Sequence, residues 1–138
     1  MIRLLYISLV LIASIGLAAQ SPSLKMEVNK NEIVIGERFK LTITLDGAQS
    51  NIVPPDLTNF TIYAGPSRST STQIINGRVS MQTSHAYFLI PEKIGTFEIG
   101  SATAQTDAGN LKSNTVSIKV LKNDGSANSS NSGSALRL

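Results

Sequence analysis

The sequence predicts an all-β chain, folded as an immunoglobulin-like antiparallel β-sandwich, a single domain without a disulfide. Three observations carry this prediction. Apolar residues recur with period two and nowhere with helical spacing. Turn residues return at the spacing of about 8–12 residues that sandwiches show. The 138 residues include no Cys, so no disulfide framework, thiol nucleophile or thiolate metal site exists.

The elements follow in order. Leu24-Lys25-Met26-Glu27-Val28 alternates apolar and polar, Asn29 to Glu32 turns, and Ile33-Val34-Ile35 is a short strand before Gly36-Glu37. Arg38 to Leu45 is the clearest strand, with Phe39, Leu41, Ile43 and Leu45 on one face and polar residues on the other. That alternation marks a half-buried antiparallel strand. Ile52-Val53 leads into Pro54-Pro55, which cannot lie in a central strand because proline lacks a ladder donor. Phe60 to Ala64 is expected to end at Gly65-Pro66. Ser69–Ile75 and Arg78–Ile90 flank Asn76-Gly77, a dipeptide suited to the two positive-φ positions of a type I′ hairpin. Thr96–Ile99, Ala102–Thr106 and Val116–Val120 supply the last strands, with Asp107 to Asn110 as the turn between the latter two. The expected core is Phe39, Leu41, Ile43, Val79, Phe97, Ile99, Val116, Ile118 and Val120.

The two ends have other compositions. Arg3 precedes an uncharged run from Leu4 to Leu17 that closes on Gly16-Leu17-Ala18-Ala19. Such a run falls short of the ~20 residues of a membrane span but suits an export signal, placed at residues 1–19 and cleaved after Ala18 or Ala19. An uncleaved N-terminal anchor is the alternative, and no Cys follows to make a lipoprotein. The sandwich occupies residues 24–122. Residues 123–138 are rich in Ser, Asn and Gly and form a flexible linker or tail. Its apolar end, Ala135-Leu136-Arg137-Leu138, gives the chain the look of a fragment of something longer.

Composition excludes several functions. Without Arg3 there remain eleven Lys and Arg against nine Asp and Glu, spread singly, so no basic patch marks a nucleic-acid partner. The single His, His85, has Ser84 beside it but no acidic residue within the ten before it, and is expected to be structural. Carboxylates do not recur at the alternate positions of a calcium loop, and Gly65-Pro66-Ser67 is no phosphate loop. We therefore expect no catalytic residues, cofactor or metal. The candidate contact with a partner is the Asn76-Gly77 hairpin: Arg68, Thr70, Thr72, Asn76, Gly77 and Arg78. Its arm from Ser67 to Gln73 has almost nothing apolar to bury, so packing does not explain its length. An unpaired edge there invites strand addition, with the two arginines offered to carboxylates.

Four motifs occur in order: Pro54-Pro55-Asp56-Leu57-Thr58-Asn59-Phe60, Gly65-Pro66-Ser67-Arg68-Ser69-Thr70-Ser71, Ile75-Asn76-Gly77-Arg78-Val79-Ser80, and Tyr87-x-Leu89-x-Pro91 with Gly95, Phe97, Ile99 and Ala102. From about Leu24 to Leu121 the chain resembles the first extracytoplasmic domain of the BatD, or oxygen-tolerance (aerotolerance), family of bacterial membrane proteins. The resemblance implies β-sandwich domains in series, a transmembrane helix beyond them, and a place on the periplasmic side of the cytoplasmic membrane. It also implies other Bat-type membrane proteins with von Willebrand A-type domains as partners and, indirectly, a MoxR-type ATPase. This chain stops after one domain, so membrane association rests on a missing C-terminal region; a chain truly ending at Leu138 would be secreted. The expected function is a non-enzymatic protein-interaction domain of an envelope complex. The alternative is a secreted carbohydrate- or peptide-binding module, lined by Tyr63, Tyr87 and Phe88.

Overall fold

A computed structural model describes residues 21–124. The export signal expected at 1–19 and nearly all of the tail expected at 123–138 lie outside the described residues.

Ten strands form three sheets. In the first, β1 (Ser23–Val28), β3 (Phe39–Asp46), β6 (Arg78–Pro91) and β5 (Phe60–Ile75) lie in the order β1-β3-β6-β5, all antiparallel. This is the A-B-E-D arrangement of an immunoglobulin sheet. Against it stand β2 (Glu32–Val34), β10 (Val116–Leu121) and β7 (Gly95–Ile99), ordered β2-β10-β7, and the small sheet of β4 (Ile52–Val53), β8 (Thr103–Thr106) and β9 (Gly109–Lys112). One pair departs from the antiparallel expectation: β2 runs parallel to β10. After the turn at Asn29–Asn31 the chain leaves the first sheet for the second and meets the last strand in the same direction.

The alternation in β3 is realised in full. Phe39, Leu41, Ile43 and Leu45 are buried, while the residues between them face outward. They pack with Leu24 and Met26 of β1, Tyr87 and Leu89 of β6, and Ile33, Ile99, Ile118 and Val120 of the facing sheet. Phe39, Phe60 and Phe97 meet edge to face, with centroids 5.4 and 6.1 Å apart; this geometry adds to the burial of the rings. Phe97 and Val116, expected in the core, are partly buried against it.

Three expectations need correction. Gly65-Pro66 does not end a strand: β5 runs through it, with a cis Gly65–Pro66 bond. Between the Ile62–Leu89 and Ser67–Ala86 pairs β5 carries two more residues than β6, so the excess is taken up as bulges. An edge strand tolerates this because a missing proline N–H on its outer side breaks no ladder. Gly65 has φ +109°, and a β-carbon there would lie 2.5 Å from the Ala86 carbonyl oxygen. Second, the turn after Thr106 opens a further strand, β9, paired with β8. Third, Val79 is not core but 65% exposed. Its side chain is on the core-facing side of β6, opposite Ile74, at a level where no second sheet remains.

Register sets the ends of the molecule. Ser23 pairs with Asp46, Asp46 with Gln82, and Gln82 with Ser71. Beyond that line only β5 and β6 continue, as a two-stranded ribbon closed at Asn76-Gly77. Strand β1 thus begins at the hairpin end. Leu121 lies at the other, where its carbonyl accepts the Ile35 amide at 2.8 Å.

Candidate functional site

The hairpin is built by its sequence. Asn76 (φ 53°) and Gly77 (φ 75°) take the two left-handed positions of the turn, which only Gly and, at small cost, Asn adopt readily. Every residue from Thr61 to Val79 is exposed. β5 pairs on one side alone, so its other edge offers backbone donors and acceptors to solvent.

The register assigns the site residues to faces. Arg68, Thr70, Thr72 and Ile74 stand opposite His85, Thr83, Met81 and Val79, on the side that continues the core. Ser67, Ser69, Ser71, Gln73 and Ile75 stand opposite Ala86, Ser84, Gln82, Ser80 and Arg78, on the outer side. Arg68 and Arg78 therefore project from opposite faces at opposite ends of the arm, and they cannot grip one carboxylate together. At the tip Ile74, Ile75 and Val79 are 73%, 59% and 65% exposed, a feature that sequence analysis missed because alternation gives a face and not a depth.

His85 lies at the root of the ribbon, 4% exposed, between Ile43 of β3 and Arg68 of β5. Its Nδ1 is buried without a hydrogen-bond partner. Burial, and secondarily the Arg68 charge, push its pKa below the ordinary 6.5. Tyr87 moves the other way: burial raises its pKa, against a smaller lowering by Arg68. Ser84 alternates to the outer face, where its hydroxyl lies 3.4 Å from that of Thr44, so Ser84 and His85 make no catalytic pair.

The carboxylates with observed contacts serve local structure. Asp56 accepts the Thr58 amide at 3.0 Å, Asp46 accepts the Gln82 amide side chain at 2.7 Å, and Glu92 accepts the Thr61 hydroxyl at 2.6 Å. Glu37 accepts a hydrogen bond from the Lys30 ammonium in a salt bridge and another from the Val34 amide, which together hold its pKa below the ordinary value. Among the described residues no group of three or more His, Cys, Asp and Glu is placed to hold a metal ion.

The aromatics that a sugar-binding groove would need are divided. Tyr87 is in the core, Phe88 faces outward, and the Tyr63 ring lies under the Arg38 guanidinium, 4.3 Å from centroid to Cζ. Open grooves at the β1–β10 seam, the hairpin tip and the face of β8–β9 have no aromatic in their linings.

The BatD DUF11 like domain profile matches residues 26–120, from within β1 to within β10. The chain belongs to the BatD family. Among curated proteins none matches it. The matched span takes in the whole hairpin, so the ribbon is part of the BatD domain and not an appendage to it. Among the described residues no helix is long and apolar enough to cross a membrane.

Proposed function

We propose that this BatD domain is a non-enzymatic, extracytoplasmic protein-interaction module. It acts in an envelope complex that supports tolerance of oxygen or other stress. Family membership supports the setting, and the other Bat-type membrane proteins with von Willebrand A-type domains are the partners, with a MoxR-type ATPase engaged through them. One observation carries the contact: β5 is a sixteen-residue edge strand whose outer edge is unpaired and whose arm buries almost nothing. A strand kept that long without packing gain has the form of a template for another strand.

The test charges the edge. Thr70→Lys with Thr72→Glu leaves the core untouched, since both side chains are exposed, and places charges along the docking edge. The double variant is expected to stay folded and to lose co-purification with the envelope complex. Parental yield from a folded double variant would place the contact elsewhere.

A further inference from the structure

The hairpin differs from the rest of the domain in charge. From Leu57 to Pro91 there is no Asp or Glu, and the fixed charges in that stretch are Arg68 and Arg78; all nine acidic residues lie outside it. Two features stand on the core-continuing face of β5. Arg68 is at the root, and no ion pair joins it to a carboxylate among the described residues. Ile74 is at the tip, making with Val79 an exposed aliphatic pair. Only Thr70 and Thr72 come between them on that face.

A strand added to β5 would run ~4.8 Å away, with its side chains directly beside those of β5. Six residues is an even number, so Arg68 and Ile74 present two anchors on one face, ~20 Å apart. We propose that β5 accepts an extended segment of a partner protein bearing a carboxylate and a large aliphatic side chain six residues apart, the carboxylate beside Arg68 and the aliphatic beside Ile74. The proposal rests on the strand-addition reading above and names the chemistry of the strand. A guanidinium pairs two-pronged with a carboxylate, and the stretch from Leu57 to Pro91 has no acidic side chain of its own to compete for Arg68. The aliphatic side chain covers the Ile74–Val79 pair, which β6 alone does not. A slip of one residue would turn both anchors to the serine face, so the spacing also fixes register. Parallel and antiparallel segments meet the requirement with the order of the anchors reversed.

The probes are blocked nine-residue peptides, Ser-Ile-Thr-Thr-Ser-Thr-Thr-Glu-Ser and its reverse, titrated into the full chain. One of the two orders is expected to bind, and to weaken roughly tenfold or more when Glu is replaced by Lys, when Ile is replaced by Asn, or when the spacing is five. Arg68→Glu is expected to reverse the charge preference and favour the Lys peptide. Because His85 is the one histidine in the chain and stands opposite Arg68, its imidazole resonance reports the position. A carboxylate arriving there raises its titration midpoint, and the Lys peptide does not. Equal binding of all the peptides would overturn the anchor rule and leave strand addition standing. No peptide binding would also overturn the rule, as would binding to anionic phosphatidylglycerol vesicles in place of the peptides. If, besides, the Thr70→Lys/Thr72→Glu variant still co-purifies, strand addition falls with it.

Discussion

At the scale of single residues, His85 shows how position sets protonation. Its neighbours are the aliphatic Ile43 on β3 and the cationic Arg68 on β5, so nothing beside it in the sheet favours the charged imidazole. The unfolded chain, with an ordinary pKa near 6.5, binds the proton more readily than the folded one. Stability is therefore full above about pH 6.5, declines as the pH falls below that value, and levels off once the pH is under the lower folded-state value. One proton limits the slope to about 1.4 kcal/mol per pH unit. Glu37, whose pKa is also lowered, contributes its own loss at more acid pH, so the measurement must isolate the imidazole. Urea midpoints of the parent and of His85→Leu, taken from pH 7.5 to 5, are expected to diverge in slope across the interval just below pH 6.5. Parallel curves would mean that His85 takes up its proton in the fold as easily as in water.

At the scale of elements, the seam between β1 and the last strand depends on one side chain. Asn114 Oδ1 accepts the Met26 amide at 2.9 Å, and its Nδ2 donates to the Met26 carbonyl at 2.9 Å. The amide thus satisfies the outward backbone groups of β1 as a neighbouring strand would. Asn114→Ala leaves both without that partner and is expected to cost about 1–3 kcal/mol. Hydrogen exchange should place the loss in β1, with the Met26 amide faster than in the parent; unchanged protection there would show that water replaces the clamp at no cost. Nothing in Ser113-Asn114-Thr115 announced this role, because a clamp of this kind is set by where the chain passes and not by a local pattern. β3 and the Asn76-Gly77 turn were legible for the opposite reason: alternation and left-handed φ are local requirements. Gly65-Pro66 misled because it stops strands inside sheets, and only the edge position of β5 lets the strand continue. β9, Gly-Asn-Leu-Lys in sequence, has one apolar side chain to mark it and exists through its pairing with β8. For the candidate site, the residues were legible from turn chemistry and polarity, but the separation of Arg68 and Arg78 onto opposite faces needed the register.

At the scale of the whole molecule, the body and the ribbon obey different constraints. The body gathers Leu24, Met26, Phe39, Leu41, Ile43, Leu45, Leu89, Ile99, Ile118 and Val120 into one core, and most of its pairings join strands far apart in sequence, a topology that folds slowly. The ribbon beyond the Ser71–Gln82 pair contributes little to that core: its side chains are exposed apart from Ser80 and Met81, which are half-buried. If its length serves binding and not stability, it can be shortened without harm to the fold. The Ser71–Gln82 pair is four pairs from the Ile75–Arg78 pair that closes the turn, so it has the same place in the antiparallel hydrogen-bond alternation. Removing Thr72–Ile75 and Arg78–Met81 therefore lets Asn76-Gly77 close the shorter hairpin with its faces unchanged. Among the backbone bonds that tie the ribbon to the body, the deletion removes the one from the Gly47 amide to the Met81 carbonyl, 2.9 Å, at the exposed end of β3, worth about 1 kcal/mol. The shortened chain is expected to keep a cooperative thermal transition within a few degrees of the parent's, as that energy implies for a domain of this size, while losing Ile74 and with it the tip anchor. A large drop in the transition temperature would instead make the ribbon a structural part of the sandwich, and its exposure would then need another cause.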